Sequence, residues 1–310
     1  MFSTFTLTSA VIAGASIAAA TAAPVLQCVP AVVLLGFAIG EVRQTWLRRR
    51  YRTPSSMGGA PLGVNLTQPI TTTDLRLTHY RLPANLAPSR LRILHFTDLH
   101  FNTKLPGEYF ESLHEIVRQQ APDVLLLGGD FISKVQMLPL LTAWLQHLPK
   151  VKLGTFAVLG NHDYWCKANA QVCAELERCG ITWVAGRHHV LTKMGDRHLV
   201  LCGTEAPWGP SAQTNGIAPN DFVIALSHSP DNVYATRNTV DLMLAGHNHA
   251  GQLRLPGLGA IVVPSRYGRR FDRGAFRVGR TQLFVSAGIG VDGPHFRLYC
   301  PPEIVVVDLE

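Results

Sequence analysis

Leu91-Arg92-Ile93-Leu94-His95-Phe96-Thr97-Asp98-Leu99-His100 carries the pattern on which the fold turns. A short apolar run, Leu91–Thr97, ends in an Asp and a His one residue apart. Four more runs end the same way. Val124–Leu127 leads into Gly128-Gly129-Asp130, and Phe156–Leu159 into Gly160-Asn161-His162-Asp163. Phe222–Leu226 leads into Ser227-His228, and Leu242–Ala245 into Gly246-His247-Asn248-His249. Short apolar runs bounded by glycine predict buried strands. Amphipathic stretches near 108–120, 135–148 and 168–179 predict helices between the early ones. Strands alternating with helices predict an α/β sheet covered on both faces. In such sheets ligands gather beyond the carboxyl ends of the strands. All five polar clusters fall there, at equivalent positions of one sheet.

The local spacings suit metal chemistry. In Asp98-Leu99-His100 an extended backbone points both polar side chains the same way, so one ion can take a carboxylate oxygen and an imidazole nitrogen. His247-Asn248-His249 repeats that geometry if extended; in a turn its two imidazoles serve different ions. Glycines before Asp130, Asn161 and His247 permit tight strand-to-loop turns. A single D-x-H or H-x-H is more often ordinary polar surface, and a lone His228 is more often a hydrogen-bonded histidine. Five clusters at equivalent strand ends make the metal reading the stronger one. His95, His114, His147, His188, His189, His198 and His295 stand outside the pattern and read as structural or surface residues.

The chain has 310 residues, 47% hydrophobic and 16% charged, which allows a large core and excludes a disordered chain. Its formal charge of +7 favours phosphates, anionic lipid or nucleic acid as partners. Six cysteines in a chain this long are no disulfide framework, and Cys166, Cys173 and Cys179 lack paired C-x-x-C spacing. No ladder of interleaved aromatic and basic residues marks a nucleic-acid surface, so no nucleic-acid partner is expected.

Residues 1–40 contain no charged residue and no histidine. Two apolar runs, 5–23 and 25–40, are punctuated by Pro24 and Pro30. A membrane-crossing helix needs about 20 apolar residues, so residues 1–52 predict a membrane anchor of one or two transmembrane helices. Arg43, Arg48, Arg49, Arg50 and Arg52 follow, and such a cluster stays in the cytoplasm. A cleaved signal peptide is the competing reading, through Ala20-Thr21-Ala22, but no positive region precedes the run. The expected location is the inner (cytoplasmic) membrane with the catalytic domain on the cytoplasmic side. Residues 53–70 read as a linker, and 71–310 as the catalytic domain.

Asp98-x-His100, Gly129-Asp130, Gly160-Asn161-His162-Asp163, His228 and Gly246-His247-Asn248-His249 occur in the order of the calcineurin-like metallophosphoesterases. The resemblance spans about residues 90–250 and includes all five blocks. It implies a β-sandwich of two mixed sheets flanked by helices, and hydrolysis of a phosphate ester or phosphoanhydride. It implies that Asp98, His100, Asp130 and His249 hold one divalent ion, with Asp130 bridging to a second held by Asn161, His228 and His247. His162 would face the substrate as general acid or hydrogen-bond donor, oriented by Asp163. Ser133 departs from the purple acid phosphatases, which place a metal-binding Tyr there, and Ser133-Lys134-Val135 departs from the Asp-Arg-Gly of phosphoprotein phosphatases. The nitrogen and oxygen donor set suits Mn²⁺, and also Fe or Zn²⁺.

The C-terminal stretches Gly251–Pro256, Tyr267–Arg270 and Ser286–Gly290, running on to Cys300–Glu303, resemble a narrower branch. That branch holds membrane-associated bacterial phosphodiesterases, among them pyrophosphatases that cleave UDP-2,3-diacylglucosamine in lipid A synthesis. The resemblance makes such a pyrophosphatase the specific expectation; a tethered phosphodiesterase acting on a cyclic nucleotide and a non-catalytic metal scaffold are the alternatives. Arg254, Arg269 and Arg270 lie in a basic loop and are candidates for gripping a substrate phosphate or the bilayer, since guanidinium forks bind phosphate in pairs of hydrogen bonds.

Overall fold

A computed structural model describes residues 29–53, 65–84 and 90–310. Two six-stranded mixed sheets pack face to face. The first contains β1 (Arg76–Leu82), β2 (Leu91–Phe96), β3 (Val124–Leu127), β4 (Thr155–Ala157), β5 (Thr182–Trp183) and β14 (Glu303–Leu309), in the order β1-β14-β2-β3-β4-β5. The second contains β6 (His188–Met194), β7 (Arg197–Thr204), β8 (Phe222–Ser227), β9 (Leu242–Ala245), β12 (Gly274–Val278) and β13 (Thr281–Val285), in the order β12-β13-β9-β8-β7-β6. A small hairpin, β10 (Arg254–Leu255) with β11 (Gly259–Ala260), stands apart from both.

The five apolar runs are thus strands, and they divide between two mixed sheets, as the resemblance implied, rather than sharing one as the run pattern suggested. β2, β3 and β4 run parallel in the first sheet, and β8 and β9 run parallel in the second. The reason is the return of the chain end. β14 pairs antiparallel to β2 and parallel to β1, closing the first sheet with a segment over 200 residues away. Local periodicity carries no information about that pairing.

Ile93, Leu126, Leu226 and Leu244 meet between the sheets, all fully buried. Truncating any of them to Ala removes about 2–5 kcal/mol. On the outer face of the first sheet lie α2 (Gly107–Gln120), α3 (Leu138–Gln146) and α5 (Asn169–Arg178), near their predicted places. Their apolar stripes explain the seating. Tyr109, Phe110, Leu113 and Val117 of α2 share one buried face, and Ala121 in the left-handed region ends the helix. Short helices α4 (Asn161–Trp165) and α6 (Val233–Thr236) follow β4 and β8.

The helix α1 covers Val29–Tyr51. Among the described residues no helix is long and apolar enough to cross a membrane, so the expected transmembrane segment is not found there. The run 5–23 lies outside the described residues. The run 25–40 is described from Val29, inside a helix that turns charged at Glu41 and carries Arg43 and Arg48 to Arg50. The charged half docks on the outer face of the second sheet. Arg48 Nε meets Asp272 Oδ1 at 2.6 Å, Glu41 pairs with Arg269, and the Tyr51 ring lies edge-on to Phe271 at 5.7 Å. Thr53 N then donates to Ala275 O at 3.0 Å, and Ile70 bridges to Leu298, so both described ends of the expected linker grip the domain.

Candidate metal centre

The ends of β2, β3 and β9 deliver their ligands through a turn, not an extended strand. Asp98, His100, Asp130, His247 and His249 all have left-handed backbone, with φ of 55°, 42°, 52°, 66° and 46°. Non-glycine residues avoid that region, and its use at five neighbouring positions marks a site that holds its backbone against local preference. The D-x-H and H-x-H spacings therefore work through αL turns, contrary to the extended reading of D-x-H and matching the turn alternative for H-x-H. Glycine is required where carboxylates press on the chain: a Cβ on Gly160 would overlap Asp130 Oδ1, and one on Gly246 would overlap Asp98 Oδ2.

The seven expected ligands converge from both sheets. Side-chain donor atoms of Asp98, His100, Asp130 and His249 form one group, and those of Asp130, His228 and His247 a second, each spanning no more than 4.8 Å. Asp130 belongs to both. Its Oδ2 stands 3.4 Å from His100 Nε2 and 3.4 Å from His228 Nε2. Asn161 Oδ1 joins the second group, 2.9 Å from His228 Nε2. His247 and His249 fall in different groups, which is the turn geometry anticipated for two ions.

Outer contacts aim the imidazoles. His228 Nδ1 meets Gly128 O at 2.8 Å, His247 Nε2 meets Pro264 O at 2.7 Å, and His100 Nδ1 meets Ser133 Oγ at 2.7 Å. An acceptor on the outer nitrogen leaves the inner nitrogen's lone pair facing the cluster. Ser133 thus supports His100. His249 has a donor instead: Arg297, fully buried, gives Nε and Nη2 to Gly290 O and sets Nη2 3.3 Å from His249 Nδ1.

The donor set fits divalent cations. Asp98 and Asp130 are buried carboxylates, and His100 Nε2 and His249 Nε2 stand 3.0 Å apart beside them, so a cation bound among these oxygen and nitrogen donors would offset the buried negative charge. Burial, opposed by His228 and reinforced by Asp130, raises the Asp98 carboxyl to about 6. Burial pulls His228 down, but the Asp130 carboxylate outweighs it and raises the imidazole to about 9. In that state a proton on His228 does the work of a cation. Burial pushes His100 down to about 4 and His247 to about 3, so both present neutral, ligating imidazoles.

His162 stands beside the cluster, its ring 4.8 Å from that of His100, and its side chain remains 17% exposed. The expected orienting residue, Asp163, does something else. It is buried with its carboxylate accepting from Phe131 N at 3.0 Å, Ile132 N at 3.2 Å and Gly160 N at 2.9 Å. Asp163 therefore fastens the turn after Asp130 to the turn before Asn161. The carboxylate on the His162 ring is Asp292, at 3.2 Å from Nε2. Burial lowers the His162 pKa, but the Asp292 hydrogen bond and the Asp130 charge leave it raised overall. No sequence pattern near Asp292 pointed to it.

Two tryptophans missed by sequence reasoning border the centre. The Trp208 ring lies 5.0 Å from His247 and 5.8 Å from His228. The Trp165 ring lies 5.0 Å from His162 and is 62% exposed. The three candidate arginines are engaged elsewhere. Arg254 bonds Asp272 and Ala250 O, Arg269 bonds Leu258 O and Ala260 O besides Glu41, and Arg270 bonds the Tyr234 hydroxyl. These contacts hold the 250–273 loop together.

Comparison with known proteins agrees with this geometry. The calcineurin-like phosphoesterase family model matches residues 91–251. The phosphodiesterase YaeI of Escherichia coli is 30% identical over 73% of this chain and 83% of its own length. The uncharacterized metallophosphoesterase YkuE of Bacillus subtilis is 24% identical over 76% of this chain and 86% of its own. The UDP-2,3-diacylglucosamine pyrophosphatase LpxG of Chlamydia muridarum is 25% identical over 75% of this chain and 88% of its own. With its ligand cluster inside the matched region, the chain belongs to the calcineurin-like phosphoesterase family and is a metal-dependent hydrolase of the kind that uses a dinuclear divalent site.

Proposed function

We propose that this enzyme cleaves a phosphodiester or phosphoanhydride in an amphiphilic substrate, with UDP-2,3-diacylglucosamine as the specific candidate. The observation that carries the reaction class is the pair of ligand groups sharing Asp130, with His162 at their exposed side. Asp98, His100, Asp130 and His249 would hold one ion, and Asp130, Asn161, His228 and His247 the other. Two divalent ions, for which we favour Mn²⁺, would supply Lewis acidity toward a phosphoryl oxygen and acidify a water. His162, whose protonated form the Asp292 carboxylate favours, donates a hydrogen bond or proton to the phosphoryl or leaving oxygen. Asp163 acts at one remove, through the turns that carry Asp130 and Asn161.

The likeness to LpxG supports an amphiphilic substrate, as do the exposed Trp165 beside His162 and the exposed apolar residues of α1. The same reading puts the enzyme at the inner membrane with its catalytic domain on the cytoplasmic side, and the arginines at 43–52 support that orientation. The likeness to YaeI favours one second reading, a phosphodiesterase acting on a smaller diester.

A screen of purified, Mn²⁺-supplemented protein tests this. UDP-2,3-diacylglucosamine, a simple phosphodiester, a phosphomonoester and a cyclic nucleotide are compared. The lipid diphosphate is expected to turn over fastest, and to slow in bilayers when residues 1–40 are deleted. Faster cleavage of the cyclic nucleotide would transfer the assignment to the second reading. His162→Ala should lower turnover about 10²–10³-fold while retaining metal; full activity in that variant would remove His162 from the reaction.

A further inference from the structure

The end of α1 and the β10–β11 hairpin enclose a crevice of about 280 Å³. That is just below the roughly 300 to 1,000 Å³ of sites for drug-sized molecules, a size for a group as small as a phosphorylated headgroup. Arg48, Arg49, Arg52, Arg254 and Arg269 line it, against one lining carboxylate, Asp272. That carboxylate is already shared by Arg48 Nε at 2.6 Å and Arg254 Nη1 at 3.0 Å. Glu41 answers Arg269. Among the described residues, Arg49 and Arg52 have no carboxylate partner. Burial and the guanidinium groups of Arg48 and Arg273 pull the Arg52 pKa below its ordinary value, against Asp272, as expected where cations outnumber anions.

On the hairpin side, Arg254 Nη2 and Arg269 Nη1 lie 3.5 Å and 3.7 Å from the Cβ position of Gly259, so two guanidinium groups border the crevice there. Leading away from it along α1, Trp46, Val42, Ile39 and Leu35 follow Arg49 at steps of three and four residues, and all are exposed. That spacing forms one helix stripe, apolar for three turns and ending at an arginine in the crevice.

We infer that this crevice is a phosphate-group site, separate from the metal centre, which seats the headgroup of an anionic lipid whose chains lie along the α1 stripe. Guanidinium forks recognise the phosphate oxygens, and the stripe distinguishes a lipid from free phosphate. The inference does not depend on the catalytic reading, because its readout is binding.

Cosedimentation of the full chain with phosphatidylcholine vesicles, with and without phosphatidylglycerol, tests it. Wild type is expected to favour the phosphatidylglycerol vesicles. Arg49→Glu with Arg52→Glu should weaken that binding at least about tenfold. Arg43→Glu with Arg50→Glu, the same charge change outside the crevice, should cost at least about threefold less, because it removes only the diffuse attraction that the per-residue scale describes and leaves the crevice intact. Turnover of a soluble diester should stay unchanged in both, showing that they fold. Equal losses in the two double variants would reduce the effect to diffuse attraction and overturn the site. Unchanged vesicle binding by the crevice variant would overturn the lipid assignment, and titration with inorganic phosphate would then show whether a free anion site remains.

Discussion

Around Asp130, carboxylates and imidazole lone pairs crowd together, with one guanidinium, that of Arg297, behind His249. Beside α1, five arginines crowd around one carboxylate. Both regions are imbalanced, in opposite senses, and both lie against the same 247–273 stretch: His247 leans on Pro264, while Arg254 and Arg269 line the crevice. A fold of ordinary stability tolerates such excesses where a counter-charge arrives from outside. The contrast teaches that one region asks for cations and the other for anions. It also shows a difference in construction. The cation cluster is buried and held by a rigid frame of backbone contacts, whereas Arg49 and Arg52 are exposed at the end of a helix.

The strongest way to break the contrast is to remove the shared ligand. Asp130→Asn should lower turnover by at least about 10³-fold and reduce bound metal, read by elemental analysis of the purified protein. Near-normal metal content with near-normal activity would dissolve the two-group site. A proton should compete with metal there. The folded His228 titrates near 9 against an ordinary 6.5, so its stabilising effect is complete below about 6.5 and is lost as pH rises through 9. Asp98, raised from 3.8 to about 6, acts in the same direction over its own lower range. Metal-stripped protein should therefore lose up to about 3 kcal/mol between pH 6.5 and 9 in urea titrations. Metal-loaded protein should vary less, and parallel profiles would count against cation binding at His228.

Two smaller effects separate the carboxylates flanking His162. Asp163→Asn places an amide where three backbone N–H groups require an acceptor, and should cost about 2 kcal/mol of stability. Asp292→Asn should leave stability within about 0.5 kcal/mol and slow turnover about tenfold. Because Asp292 raises the His162 pKa, its loss should also move the alkaline limb of the pH–rate profile to lower pH. If instead Asp163→Asn moved that limb and Asp292→Asn did not, the two roles would be exchanged.

The ligand residues were legible because each sits where an apolar run ends, with glycine marking the turns before Asp130, Asn161 and His247. Seven side chains could be named without knowing how the strands pair. Their supports were not legible in that way. Asp292 reaches His162 across 130 residues, Arg297 reaches His249 from outside any strand, and Ser133 carries no pattern of its own. Asp163 misled for a related reason. Proximity in sequence put it next to His162, but the first turn of α4 points its carboxylate back toward Gly160 and the Asp130 loop. The division into two sheets was legible through the family resemblance alone, since the run pattern of β8 does not say whether it continues the sheet of β4 or begins another. At the amino end, hydropathy alone could not show that the charged half of α1 folds onto the domain.

The left-handed turns at Asp98, His100, Asp130, His247 and His249 have a consequence for engineering. Each residue with a Cβ in that conformation costs on the order of 1–2 kcal/mol. Glycine at any of these positions would relieve the local cost while deleting a ligand. Selection for heat resistance alone would therefore enrich inactive proteins from this small set of positions, a direct trade of activity for stability. A useful thermostabilisation campaign would fix these five residues and draw its gains from the sheet interface and the helix caps.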